Sequence, residues 1–261
     1  YEAFRRRNLC GFITACADTG WGVLDASVET STLVLNKLCS DVEGVFMDVR
    51  SIVNPQEKDE YLQVLIRTYN RKEDDRWTYV AKSIGFDNLP NTIIGYYFGD
   101  DMFHLFQCDS LESRNIRARH GFSFVAPVHN RTYFECLNHK NYVHQYPGSF
   151  HSLFYTVYRD LVDWKNNGTI AKTWNAFRSC NEAYRYNPGV GYGKRGDILD
   201  AHVLKKDFFF TNEGQAIPCH DEKESIICLS CINSILSQYA INLYTGQHKI
   251  NGNLNLLPMP D

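Results

Sequence analysis

An α+β fold is predicted for this 261-residue chain by three observations. Short β-branched runs lie close together near the N-terminus, and a helix-patterned segment follows them. From about Cys108 the composition turns aromatic and polar, with many short strand-like runs broken by Gly, Pro and Asn. That length can bury a sizeable core and hold one large domain or two modest ones.

Taken in order, Leu9 to Cys16 is a short apolar run that reads as a strand. The turn Asp18-Thr-Gly-Trp-Gly22 breaks periodicity, and Val28, Thr30, Thr32 and Val34 then fall on one side of an extended segment. Gly44-Val-Phe-Met-Asp-Val-Arg50 supplies a third strand, so residues 1–53 read as a sheet edge. Asn54-Pro55 marks a turn, and Gln56 to Arg67 predicts a helix with Tyr61, Leu62, Leu65 and Ile66 on one face. Arg71 to Arg76 is a charged surface turn, Trp77 to Ala81 another strand, and Asp100 to Phe106 a helix with acidic residues in its first turn. Residues 54–107 thus form a connecting α/β segment, and 108–261 a β-rich domain with embedded helices. Within the latter, Ile226 to Leu236 is apolar nearly all round and reads as a buried helix.

Composition narrows the function classes. A formal charge of −3 gives no global basic field, so local clusters must carry any nucleic-acid contact. The densest is Arg114-Asn-Ile-Arg-Ala-Arg-His120, followed by Lys194-Arg195 and Lys205-Lys206. No apolar run reaches membrane-spanning length, and the start Tyr-Glu-Ala-Phe-Arg-Arg-Arg has the wrong order for a signal peptide. Lacking an initial Met, the chain reads as part of a longer protein. Nine cysteines, an odd number, predict reduced thiols in a cytoplasmic protein, which makes the sequons at Asn130 and Asn167 incidental. Cys219, His220, Cys228 and Cys231 could supply four zinc ligands, but the apolar surroundings of Cys228 and Cys231 favour thiols inside a helix.

Five groups of residues, in order along the chain, carry a family resemblance. Gly20 to Lys37 contains a small-residue, Val-Glu-Thr, aliphatic, Lys pattern. Leu89-Pro90, Gly95-Tyr-Tyr97 and the Phe103/Phe106 helix follow. Asp160-Leu-Val-Asp-Trp-Lys-Asn-Asn-Gly168 comes next, and then Tyr184-Arg-Tyr-Asn-Pro-Gly-Val-Gly-Tyr-Gly-Lys-Arg195 with Phe208-Phe-Phe-Thr-Asn-Glu-Gly-Gln-Ala-Ile217. Ile250-Asn-Gly-Asn-Leu-Asn-Leu-Leu-Pro-Met-Pro260 closes the series, preceded by Asn233-Ser234. Together they resemble the C-terminal part of the adenine-specific DNA methyltransferases of the type IIG restriction and PglX-like BREX phage-defence families.

The resemblance implies the terminal strands of a Rossmann-like methyltransferase sheet followed by a target-recognition domain that binds double-stranded DNA. S-adenosylmethionine would be bound by an upstream methyltransferase domain on the same or another chain. This sequence has neither the Gly-rich cofactor loop nor the Asn-Pro-Pro-Tyr/Phe loop that holds a flipped adenine, so no cofactor-binding or catalytic residue is assigned and the chain alone is expected to be inactive. Recognition calls for cations on phosphates and polar or aromatic side chains on base edges. Arg117, Arg119, Asn130, Arg131, Lys165, Tyr192, Lys194 and Arg195 are the candidate DNA contacts. Lys194-Arg195 is the leading pair, in a Gly-rich loop. Where the family has a polar Gly-Leu-x-Thr-Gly-Asp-Asn-like turn, this chain has the apolar run Gly121 to Asn130, so its specificity is expected to differ.

Competing structural roles are clear for several of these residues. Trp164 is expected in the core, Tyr184 and Tyr186 on alternate sides of a strand, and Asn251, Asn253 and Asn255 in a hairpin. A zinc-stabilised or protein-interaction module of a defence complex, without base contacts, is the alternative function. A cysteine hydrolase is a third, although Cys219 and His220, as chain neighbours, rarely face each other.

Overall fold

Two glycines shape the turn that opens the first motif: Gly20 and Gly22 hold φ of 60° and 83°, where a Cβ would be strained. The computed structural model describes residues 1–24, 28–123, 130–136, 139–148, 152–196, 198–245 and 248–259. They form two compact units, Tyr1–Gln107 and Cys108–Asp261, of α+β architecture. Residues 124–129 of the apolar run and Pro260 lie outside the described residues.

In the N-terminal unit, α1 (Glu2–Asn8) leads through a turn into β1 (Ile13–Gly20). There follow β2 (Thr30–Leu35), β3 (Glu43–Asp48), α2 (Pro55–Asn70) and β4 (Thr78–Lys82). The sheet order is β2-β1-β3-β4, with β1 antiparallel to β2 and parallel to β3, and β3 antiparallel to β4. Thus β4, from the connecting segment 54–107, completes the sheet begun by residues 1–53. Asn54 caps α2 by accepting from the Gln56 N–H at 3.0 Å, and Pro55 occupies the first turn, where its missing donor costs nothing.

Alternation along β3 separates two cores. Met47 and Val49 pack with Leu65 of α2, flanked by Val45, Tyr61, Leu62 and Trp77. Phe46 points the other way, stacked on Tyr96 at 5.0 Å and edge-on to Phe86 at 5.7 Å. The Tyr96 hydroxyl donates to Asp18 at 2.9 Å, and Arg50 donates to Asp48 at 2.7 Å. Burial is the main cause raising the Asp18 carboxyl above its ordinary range, against the pull of Arg50. Lys58, buried on α2, donates to the carbonyls of Thr19 and Trp21 and pins the glycine turn. Val34, on the edge strand β2, and Val28, which precedes that strand, are both exposed. The last helix of this unit is α3 (Asp100–Leu105).

The C-terminal unit contains β5 (Asn130–Thr132), β6 (Tyr142–Tyr146), β7 (Asp160–Asp163), α4 (Lys165–Lys172), β8 (Gly189–Gly193) and β9 (His202–Leu204). It ends with β10 (Phe209–Phe210), β11 (Gly214–Pro218), α5 (Glu222–Ile232), α6 (Ile235–Tyr244) and α7 (Asn251–Leu254). Two sheets result, ordered β10-β6-β7-β5 and β11-β8-β9. Phe122, Val162, Trp164, Ala171 and Phe209 form one core cluster, and Tyr146, Leu204, Phe210 and Ala216 another. Phe122 lies 4.3 Å from Phe209 and 5.7 Å from Trp164, each ring pair adding roughly 1 kcal/mol beyond area burial.

The Asp-Trp-Lys-Asn-Asn-Gly stretch has a local explanation. Asn166, Asn167 and Gly168, at the start of α4, are left-handed, with φ of 50°, 58° and 71°, and Asn and Gly are the residues that visit that region readily. A Cβ on Gly168 would stand 2.6 Å from the Trp164 ring, and the indole N–H donates to Asn167 at 3.2 Å. Trp164 is buried, as expected of a core residue.

Three expectations are corrected. Tyr184 and Tyr186 lie in a 3-10 turn, Glu182–Tyr186, rather than a strand, because Asn181 enters it left-handed at φ 56°. Asn251 and Asn253 lie in the helical turn α7, not a hairpin; the Asn253 amide donates to the Tyr244 carbonyl. The apolar segment 226–236 breaks at Asn233-Ser234 between α5 and α6, and only part of it is buried. Cys228, Leu229 and Ile232 face inward, whereas Ile226, Ile227, Ile235 and Leu236 are exposed, since packing covers one side of each short helix. Among the described residues no single helix is long and apolar enough to cross a membrane.

Candidate nucleic-acid interface

Strand pairing places six of the eight candidate residues on or next to the two sheets of the C-terminal unit. Lys194 and Arg195 follow β8, whose antiparallel register with β11 sets Gly193 opposite Gly214. The Lys194 N–H therefore donates to the Glu213 carbonyl at 2.9 Å. Both cations share the Glu213 carboxylate, Arg195 Nε at 3.1 Å and Lys194 Nζ at 3.7 Å. Arg195 remains about two-thirds exposed, and two cations on one anion leave a net positive loop.

Arg119 joins the same sheet through its backbone. Its N–H donates to the Ala216 carbonyl at 2.7 Å, and the Ala216 N–H returns a bond at 3.1 Å. Arg119 and Lys194 thus flank β11 three residues apart, roughly 10 Å along the strand. The Arg119 guanidinium lies 3.9 Å from the Tyr184 ring centroid, which fixes its stem while the cation stays partly open. Arg117, two residues earlier, is exposed and pairs with Glu112 at 3.0 Å.

Asn130, Arg131 and Lys165 lie apart from the Lys194-Arg195 loop, the first two in the second sheet and Lys165 at the start of α4. Asn130 and Arg131 sit on its edge strand β5, opposite Val162 and Leu161 of β7. Arg131 turns back on the Asn130 carbonyl at 2.8 Å, and the Asn130 side-chain oxygen is buried without a hydrogen-bond partner among the described residues. Lys165 is exposed at the left-handed turn, its N–H bound to Asp163, and no ion pair engages its ammonium among the described residues.

Tyr192 is a correction. Its side chain is wholly buried in β8, and the hydroxyl bonds Asn251 at 2.8 Å and Gln215 at 3.1 Å. Burial raises its phenol well above the ordinary range. The residue knits β8 to α7 and has no surface to offer a base. In the motif Gly-Tyr-Gly-Lys-Arg, the flanking glycines suggested an open loop; they are strand positions in which Gly191 makes room for His202.

His248 and Lys249, in a polar loop that the sequence also offers for recognition but outside the eight candidates, lie beside the Lys194-Arg195 loop. The Lys249 N–H donates to the Lys194 carbonyl at 2.8 Å, and His248 pairs with Arg195 through the backbone. The separation of more than fifty positions between these segments hides them from any local pattern. Lys249 itself is buried, its ammonium 2.6 Å from the Asn242 side-chain oxygen.

The cysteines take a different arrangement from a zinc site. A thiol-thiol hydrogen bond with Cys219, then burial, holds the Cys228 thiol well above its ordinary value. Cys231 is raised by burial, and His220 faces Glu224 at 2.8 Å. Among the described residues no three His, Cys, Asp or Glu side chains gather as metal ligands. Comparison of the chain with protein-family models and with curated proteins finds no match.

Proposed function

We propose that the C-terminal unit is a sequence-specific DNA-recognition module of an adenine-N6 DNA methyltransferase acting in phage defence or restriction-modification. In this reading the first three strands are the end of a Rossmann-like catalytic sheet, and residues 108–261 read the target. Methyl transfer from S-adenosylmethionine belongs to an upstream domain, which presents its loop to an adenine rotated out of the duplex. The five ordered motifs support the family. The observation that carries the contact surface is that Arg119, Lys194 and Arg195 are attached to one sheet along β11 and the residue before it, with Arg117 exposed two residues before Arg119.

Such a surface binds phosphates first, and its affinity falls steeply with salt. Fluorescence anisotropy of a labelled duplex, titrated with the 261-residue chain at several salt concentrations, tests the reading. Lys194→Ala with Arg195→Ala is expected to weaken binding at least ten-fold and to flatten the log K against log salt slope by about 1.8, two lost phosphate contacts at about 0.9 each. A duplex affinity and slope unchanged by the double substitution would remove these residues from the interface. Absence of duplex binding by the wild-type chain at low salt would refute the function itself.

A further inference from the structure

On the far side of Arg119 the chain assembles a nucleophile and a base that no sequence motif announced. Cys180 Sγ lies 3.2 Å from His120 Nε2, across 60 positions of sequence. The two loops are held together by paired backbone bonds between Ser123 and Arg178, at 3.0 and 3.3 Å. Asn181, left-handed at φ 56°, completes the cluster. Its amide donates to the His120 carbonyl at 2.8 Å and approaches Cys180 Sγ at 3.5 Å. The Asn181 oxygen in turn meets an Arg119 N–H at 3.4 Å. Cys180 is partly exposed and His120 exposed, so small reagents reach both. Nearby charges are Arg119 and Glu182, the latter bonded to Ser179 at 3.1 Å and to Lys172 at 3.7 Å.

We infer that Cys180 is an activated thiol and a covalent modification site for soft carbon electrophiles, with His120 as its proton acceptor. The sulfur needs three things to attack: a base to take its proton, a donor or cation beside the resulting anion, and an open approach. His120 supplies the first, the Asn181 amide, itself held by Arg119, the second, and the loop surface the third. The step balances without an outside redox partner. The thiol proton passes to Nε2, the sulfur pair forms an S–C bond, and the leaving group departs with the electrons of the bond it breaks. With iodoacetamide, that leaving group is iodide.

The test is competitive labelling of the folded chain with limiting iodoacetamide at pH 7, with each cysteine quantified by peptide mass spectrometry. Exposed Cys39 and Cys108 serve as internal references, and buried Cys16 and Cys228 report folding. Cys180 is expected to react about ten-fold faster than either reference despite its lower exposure. A wild-type ratio below three overturns the assignment. In His120→Gln, the Cys180 rate is expected to fall to the reference level, with Cys39 and Cys108 unchanged. A Cys180 rate unaltered in that variant while Cys16 and Cys228 stay protected also overturns it. The wild-type ratio decides the matter even if the variant fails to fold.

Discussion

His202 sits wholly buried in β9 and gives the fold a defined sensitivity to acid. Its ring meets Tyr146 edge-on at 4.4 Å and Tyr158 at 5.8 Å. Nδ1 lies 3.4 Å from the Asp200 carbonyl, while Nε2 has no hydrogen-bond partner among the described residues and abuts Gly191. A proton on Nε2 would place a cation against a Cα with nothing to receive it. Burial accordingly lowers the imidazole from 6.5 to about 4, with the Asp200 carbonyl opposing weakly. Because the folded value is the lower one, the unfolded chain binds the proton first and stability falls as pH drops from about 6.5 to about 4. The full cost is about 3 kcal/mol, a gap of two to three pH units at roughly 1.4 kcal/mol each. At pH 5 about 2 kcal/mol of it is felt, against almost none at pH 7. The free energy of opening from amide exchange in β8 and β9 isolates this unit, and His202→Gln removes the titration while keeping a polar side chain of similar reach. The wild type should lose about 2 kcal/mol more than the variant between pH 7 and 5. Other titrating groups, among them Asp18 and Asp160, which burial raises, are common to both proteins and cancel. A difference under about 0.5 kcal/mol would show that the imidazole accepts its proton in place and would refute the reasoning.

Three further outcomes follow from the geometry. Gly168→Ala should destabilise by at least about 1–2 kcal/mol, the strain of a left-handed alanine, with the Trp164 clash in addition; denaturant unfolding within 0.5 kcal/mol of wild type, on the order of surface-substitution scatter, would contradict it. Tyr192→Phe strips a buried hydroxyl from Gln215 and Asn251 and should cost about 1–3 kcal/mol in the same measurement, while duplex affinity of the folded variant stays unchanged. An affinity loss there would return Tyr192 to the contact set. Glu213→Gln frees Lys194 and Arg195 from their shared carboxylate, so duplex binding should tighten and its salt slope steepen by about 0.9 with little change in stability. Weaker binding would mean that Glu213 is needed to aim the pair.

Elements written in neighbouring residues were legible. Asn54-Pro55 announced α2 because cap and first turn are local chemistry, and the Leu65 face announced its buried side because helical periodicity is local too. Trp164 could be placed in the core. The Asn-Asn-Gly run stood out only as part of a motif; its left-handed turn, and the indole that a Cβ on Gly168 would meet, became visible with the ring in place.

The candidate surface was legible only in its residue types. Lys194-Arg195 stood out as adjacent cations, but nothing local could say that Glu213 would bridge them or that Arg119 would lie along the same strand. Gly-Tyr-Gly read as loop and is strand, since β8 is covered by β9 and β11 from elsewhere in the chain and its glycines admit His202. The parallel pairing of β1 with β3, the burial of Tyr192, and the meeting of Cys180 with His120 share one cause. Propensity, capping and turn chemistry act between near neighbours, and so the sequence by itself marked the helices α2 and α3, the turn at Gly20 and Gly22, and the stock of cations and thiols. Which of those groups meet, and which are lost to the core, is decided by strand pairing over long separations, where burial and hydrogen-bond satisfaction act on the whole fold at once; only the tertiary structure settles it.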